Sequence, residues 1–123
     1  MQVMALIYGD ESRWDEFSPD ERDAVYAQYR EFSDEAGKAG VVIGGAELAS
    51  TRDATTVRVR DGESLVTDGP YAEVKEVLGG YFIFECGSMD EAVEYAARIP
   101  GAQHGAIEVR PIYVDPAAEG AAS

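Results

Sequence analysis

This 123-residue sequence predicts an α+β fold of the ferredoxin-like type, with the order β-α-β, hairpin, β-α-β. Three observations support it: each of two helix-start signals lies between apolar strand-like runs, a two-residue turn signal separates the halves, and no linker interrupts them. Two β-α-β halves form an antiparallel sheet with both helices on one face. We expect a single domain over residues 1–114 and a flexible tail of small and polar residues over 115–123.

The first half begins with a strand and a capped helix. Residues 3–8 are apolar on both faces of a strand, which is typical of a strand covered on both sides. Ser18 can cap a helix, Pro19 suits the first helical position, and Glu21 completes a capping box. One apolar stripe follows at helical spacing, formed by Val25, Tyr29, Phe32 and Ala36.

Glycines punctuate the next part of the chain. Gly37 and Gly40 are expected to end the first long helix. A strand begins at residues 41–43, and the pair Gly44-Gly45 is expected to break it.

The second half starts with a hairpin. Residues 55–60 alternate between polar and apolar side chains, as in a half-exposed strand, and Asp61-Gly62 is a strong two-residue turn signal before the return strand 63–67. The Asp-Gly-Pro segment, residues 68–81, follows. It is expected to contain a turn at its start and a second turn at Gly79-Gly80, before a strand over 81–85.

A second capping box, Ser88 with Glu91, predicts the last helix, which Pro100-Gly101 ends before a strand over 106–113. Its expected buried stripe consists of Met89, Ala92, Val93, Ala96 and Ala97.

Composition excludes several classes of function. With 24 acidic and 10 basic residues, the formal charge is −14, which repels nucleic-acid backbones and anionic membranes. There is no apolar run of transmembrane length and no signal-peptide pattern, so a cytoplasmic location is expected. The single cysteine, Cys86, excludes an intramolecular disulfide and is expected to be a small buried hydrophobe. No cofactor or metal motif is present, so neither ligand is expected.

The sheet should have two apolar faces but helices on only one. Met4, Leu6 and Tyr8 form an apolar set opposite Val3, Ala5 and Ile7. A bare face of this character would be a large apolar patch, and a second copy of the same sheet is its economical cover. We therefore expect a homodimer with stacked sheets and a small-molecule site in a cavity between them.

The chain resembles the YCII-related family, in the branch named for its DGPF motif. Here that motif is Asp68-Gly69-Pro70-Tyr71, with Tyr in place of Phe. Other matching stretches are residues 4–11, 56–58, 72–76, 78–81, 90–92 and 107–112.

The resemblance implies a dimeric α/β-barrel of ferredoxin-like subunits. It also implies an association with extracytoplasmic-function sigma factors, and hence a regulatory or ligand-sensing role. A His–Asp pair has been proposed as an active site in the broader family, and a related protein removes chloride from an aromatic ring compound. This chain departs from that pattern, because its first long helix has no histidine and its only one is His104.

The Asp-Gly-Pro segment supplies most of the candidate ligand-binding residues. Asp68, Tyr71, Glu73 and Lys75 provide hydrogen-bonding and charged groups at close spacing. They have a structural alternative, in which Asp68 caps the turn, Glu73 and Lys75 form ion pairs, and Tyr71 packs on the core.

The remaining candidates are Tyr8, Glu108 and Arg110. Glu108 and Arg110 share one face of the last strand and line a pocket or form a cross-strand ion pair. Tyr8, Asp10 and Glu11 could rim the same cavity. His104 is expected in a surface turn.

Three functions remain open. One is a small-molecule-binding protein linked to sigma-factor regulation. Another is a cofactor-independent enzyme, similar to a lyase or dehydrochlorinase, acting on a small molecule, aromatic or not, in the dimer cavity. The third is a structural partner that binds a sigma factor directly, without a ligand.

Overall fold

A computed structural model describes residues 1–118, and the outer part of the predicted tail, residues 119–123, lies outside the described residues. The strands are β1 (Gln2–Gly9), β2 (Val42–Glu47), β3 (Thr55–Arg60), β4 (Glu63–Asp68), β5 (Val77–Glu85) and β6 (Ala106–Pro111). The helices are α1 (Glu11–Glu16), α2 (Pro19–Lys38) and α3 (Met89–Ala96). Short 3-10 turns lie at Thr51–Asp53, Pro100–Gln103 and Pro116–Ala118.

Four strands form one antiparallel sheet in the order β2-β5-β1-β6, and β3 and β4 pair as a separate hairpin. With the hairpin set aside, this is the strand order of a ferredoxin-like α+β domain, as predicted. The hairpin turn also agrees with the sequence, since Asp61 and Gly62 have φ of 53° and 79°. Positive φ at both central residues is the requirement of a tight two-residue turn.

The core lies between one face of the sheet and the two long helices. Val3, Ala5 and Phe84 from the sheet are fully buried against Phe32 and Ala36 of α2, and Ala92 and Ala96 of α3 complete the cluster. Cys86 is buried in it too, and burial raises the pKa of its thiol. This confirms the prediction that Cys86 is a small buried hydrophobic residue.

The opposite face of the sheet, here called the open face, has no described element packed on it. Its centre consists of Met4 and Leu6 of β1, beside Ile83 and Tyr81 of β5, and all four side chains are partly exposed. At one edge, β6 adds Glu108 and Arg110.

The capping signals are confirmed. Ser18 and Glu21 form a reciprocal capping box on α2, and the Ser88 hydroxyl accepts a hydrogen bond from the Glu91 N–H at the start of α3. Gly40, with φ of 76°, follows the end of α2, whereas Gly37 lies inside the helix. None of the helices within residues 1–118 is both long and apolar enough to cross a membrane.

Several predictions about local structure were wrong. Neither glycine pair breaks a strand, because Gly44-Gly45 lies inside β2 at a register shift and Gly79-Gly80 lies inside β5. In α3, Val93 is 52% exposed and Tyr95 packs on the core in its place.

The end of α3 also differs, because the helix stops at Ala96 and leaves Ala97 exposed. The last strand ends at Pro111, so Tyr113 lies outside the sheet. Helix α1 has no counterpart in the sequence prediction, because six residues carry too little periodicity to reveal it.

Candidate functional site

A cleft of about 810 Å³ opens on the helix side of the sheet, between α1, α2 and the ends of β1, β2 and β5. Its walls are largely aromatic and apolar, including Trp14, Phe17, Val25, Tyr26, Tyr29 and Phe82. Small-molecule sites are usually clefts of roughly 300–1,000 Å³ with this kind of lining.

Glycines form the floor of the cleft. Gly45 and Gly80 lie on the helix side of the sheet, because Gly45 pairs with Phe82 and Gly80 pairs with Ile7. A Cβ at Gly45 would lie 2.6 Å from the carbonyl oxygen of Tyr81, and one at Gly80 would lie 2.9 Å from that of Ala46. The close approach of β2 and β5 therefore requires glycine, and it leaves the floor without side chains.

Glu47, the last residue of β2, pairs with Gly80 and accepts a hydrogen bond from the Tyr26 hydroxyl at 3.0 Å through Oε1. Tyr26 and Tyr29 are three residues apart on α2, and so they share a face of that helix. Burial, then the hydrogen bond to Glu47, raises the pKa of Tyr26. Burial also raises the pKa of Tyr29, and the negative charge of Glu47 adds to this shift. Both phenols are therefore protonated at neutral pH and can serve as hydrogen-bond donors.

The Tyr29 hydroxyl is held in place by the turn before β6. Its oxygen accepts the Gly101 N–H at 3.1 Å, and the phenol ring stacks on Phe82 with ring centroids 6.4 Å apart. A Cβ at Gly101 would lie only 2.7 Å from this oxygen, so the glycine allows the contact.

Trp14 forms the outer wall of the cleft. It meets the Tyr26 ring edge-on at 5.4 Å, and the Arg22 guanidinium lies 5.4 Å from its ring centroid. Arg22 Nη2 also donates to the Trp14 carbonyl at 3.2 Å, while its buried Nε has no hydrogen-bond partner within the described residues. As the single tryptophan, Trp14 reports on the state of the cleft.

A smaller pocket of about 450 Å³ adjoins the cleft and is lined by the Asp-Gly-Pro segment. Two predicted site residues, Glu73 and Lys75, line it together with Asp10 and Glu11, which also line the cleft. Glu11 accepts hydrogen bonds from the hydroxyl and N–H of Thr51, the latter at 2.7 Å, and these bonds lower the pKa of its carboxyl. Hydrogen bonds from Ser12 likewise lower the pKa of the Asp10 carboxyl, and the positive charge of Lys75 lowers it by a smaller amount.

Three other predicted residues lie together on or near the open face. The Tyr8 hydroxyl donates to Glu108 Oε1 at 3.4 Å, and Arg110 Nη2 is 3.3 Å from Glu108 Oε2. The charged residues thus form an ion pair, but along β6 and not across strands. Both charged side chains are exposed, and only Tyr8 of the three also lines the cleft.

The remaining predicted residues, Asp68 and Tyr71, lie at the base of the hairpin and line neither pocket, although their neighbours Gly69, Pro70 and Ala72 line the smaller one. Tyr71 is 76% exposed and lies under the Arg58 guanidinium at 4.9 Å, so the alternative in which it packs on the core is wrong. Asp68 ends β4 opposite Thr55, and Gly69 beside it has φ of 104°, as the predicted turn requires. His104 lies in a surface turn, as predicted, and this turn lines the cleft.

Sequence reasoning missed the principal residues of the cleft, namely Trp14, Arg22, Tyr26 and Glu47. Tyr29 was identified only as a core position. The available signal was glycine inside two strand-like runs, which marks places where backbones or ligands approach closely. In the described part of the chain, no group of three His, Cys, Asp or Glu side chains could hold a metal ion.

Comparison with known proteins gives two findings. The family model of the YCII-related domain matches residues 1–114. An uncharacterized protein of Rhizobium meliloti (strain 1021) is 40% identical over 118 residues, which covers 91% of this chain and 92% of that protein.

Proposed function

This chain belongs to the YCII-related family, and we propose that it binds a small organic molecule in the cleft between α1, α2 and the sheet. The observation that carries the proposal is the cleft itself: glycines clear its floor, aromatic rings line its walls, and Glu47 with two tyrosines supplies a few convergent polar groups. A ligand site in general combines an apolar lining with a small number of placed polar groups in this way.

Trp14 provides the test. We expect members of a panel of small metabolites to change Trp14 fluorescence and to raise the melting temperature, since binding to the folded state alone stabilises it. Val25→Trp would place a large ring in the wall of the cleft and should abolish the rise in melting temperature, which is the readout here because the variant carries a second tryptophan. Ala24→Trp, on the neighbouring exposed position of α2, is the matched control and should preserve the rise. Equal responses in the two variants would show that the ligand binds elsewhere.

We also propose that the protein is a homodimer that stacks two open faces. Leu6 lies at the centre of this face, between Tyr81 and Glu108, on one of the two inner strands. We expect Leu6→Asp to convert the dimer into a monomer by native mass spectrometry. Val57→Asp, at an apolar hairpin position that is 61% exposed, should leave the dimer intact. A wild-type monomer would refute this arrangement.

A second candidate function, cofactor-independent catalysis on a small molecule, is favoured by one observation. Glu47 is a carboxylate beside two protonated phenols, and such a set can accept and donate protons at a bound substrate. If catalysis occurs, Glu47→Gln should remove turnover even at substrate concentrations that saturate the variant. The association with sigma factors stays a prediction from the family resemblance.

A further inference from the structure

We propose that the ligand of the cleft is an aromatic molecule carrying a hydroxyl or amino donor, uncharged or cationic, which donates to Glu47 and accepts from Tyr29. This inference rests on the proposed function and specifies the chemical class of its ligand.

Glu47 provides the acceptor. Tyr26 occupies Oε1, and within residues 1–118 the other carboxylate oxygen has no hydrogen bond. Tyr26 also fixes the carboxylate above the glycine floor, where Glu47 pairs with Gly80. A hydroxyl or amino group that reaches the free oxygen would form a charge-assisted hydrogen bond, which is stronger than a bond between neutral groups.

Tyr29 provides the donor. Its oxygen already accepts from the Gly101 N–H, and no described group accepts the phenol proton. Tyr29 stacks on Phe82, which lies two residues along β5 from Gly80, the partner of Glu47, so donor and acceptor lie at the same part of the cleft. A ligand with a donor and an acceptor a few atoms apart would satisfy both groups.

The walls select an aromatic body. Phe82 and Tyr29 are stacked with an interplanar angle of 22°, and Trp14 and Tyr26 form a second, edge-on pair. Aromatic rings pack on one another in these offset and edge-to-face arrangements, with a gain beyond simple area burial. Gly45 and Gly80 line the cleft without side chains, so the floor beneath a flat molecule is bare backbone.

The charges disfavour an anion. Arg52 is paired with Asp15 at 3.2 Å, and Arg22 donates to backbone carbonyls while its guanidinium lies over Trp14. Arg13 and His104 also line the cleft and are exposed, as Glu47 is, but no hydrogen bond within residues 1–118 fixes their side chains, whereas Tyr26 holds Glu47 in place. Glu47 is therefore the charged group best placed to meet a ligand on the floor, and the formal charge of −14 adds to the repulsion of anions.

The test compares four probes that share a benzene ring: phenol, whose hydroxyl can both donate and accept, benzylamine, whose ammonium can only donate to Glu47, benzoate and toluene. Binding is measured by ligand-observed NMR, with Trp14 fluorescence as a second readout. We expect phenol and benzylamine to bind at least about tenfold more tightly than benzoate and toluene, since about 1.4 kcal/mol from one charge-assisted hydrogen bond is a factor of ten. Glu47→Gln should remove this preference, whereas Glu63→Gln, on the exposed hairpin, should preserve it.

The outcomes separate this inference from the proposed function. Preference for benzoate would overturn the ligand class and point to Arg13 or His104 as the recognition group. Equal affinities of wild type and Glu47→Gln for phenol and benzylamine would overturn the role of Glu47. In either case the Val25→Trp response would still decide whether ligands bind in the cleft. Thermal unfolding of each variant shows whether a loss of binding reflects a loss of folding.

Discussion

The glycine floor leads to the sharpest prediction, which compares Gly45→Ala with Gly44→Ala. The two positions are neighbours in β2, but their surroundings differ. A Cβ at Gly45 would lie 2.6 Å from the Tyr81 carbonyl oxygen and 3.0 Å from a ring carbon of Phe82. A Cβ at Gly44 would meet Ile83 at 3.5 Å, which is an ordinary van der Waals distance.

The expected magnitudes follow from these distances. Overpacking against backbone costs about 1–3 kcal/mol, and the ladder between β2 and β5 must shift to relieve the contact at Gly45. Gly44→Ala should be neutral or should stabilise by up to about 1 kcal/mol, because glycine loses more conformational entropy on folding than alanine. The two variants should therefore differ by roughly 1–4 kcal/mol, or about 4–16 °C in Tm for a domain of this size.

Urea unfolding followed by Trp14 fluorescence measures this difference, and circular dichroism gives the melting temperatures. Equal stabilities of the two variants would refute the account of the floor, because the strands would then tolerate a side chain at Gly45. If Gly45→Ala folds, it should also bind cleft ligands more weakly than Gly44→Ala.

Three further predictions concern single residues outside the floor. The pKa of Glu11 is lowered in the folded state, so its contribution to stability is fully present above its unfolded pKa and is lost as pH falls through the folded value. The free energy of unfolding should therefore fall less steeply with decreasing pH in Glu11→Gln than in the wild type. Identical pH dependences would contradict this. Ser18→Ala removes the capping box of α2 and should cost about 1 kcal/mol in urea unfolding, whereas Ser64→Ala, on the exposed hairpin, should change stability little. The Cys86 thiol is buried and its pKa is raised, so a thiol reagent should modify it far more slowly in the native than in the unfolded protein, and equal rates would show that the thiol is accessible.

The sequence predicted the fold well where local chemistry decides structure. The capping box at Ser18 and the N-cap at Ser88 need only residues three apart, and the Asp61-Gly62 turn needs only two adjacent positive φ values. Each signal acts within one turn of chain, and no distant contact has to be known. The prediction that Val93 is buried was wrong because the face of α3 that packs on the sheet depends on tertiary contacts of Tyr95, which local spacing does not reveal.

The cleft depends on distant contacts. Glu47 and Tyr26 are 21 residues apart and meet only because α2 packs across β2 and β5. The candidates that were chosen because polar and charged residues lie close together in the sequence are instead distributed over the smaller pocket, the open face and the base of the hairpin. The charged residues of the Asp-Gly-Pro segment thus identified a loop that lines the smaller pocket, but they did not identify the main cleft.

The two glycine pairs nevertheless contain the missing information when they are considered together. Gly45 makes room for the Tyr81 carbonyl, and Gly80 makes room for the carbonyl of Ala46, so each strand carries a glycine where the other approaches. In a ferredoxin-like order these two strands are neighbours, and glycines offset by only two residues in the register of neighbouring strands predict a close contact and a bare patch of sheet beside it. With a tyrosine pair three residues apart on the helix above that patch, the positions of Glu47, Tyr26 and Tyr29 follow from topology combined with strand register.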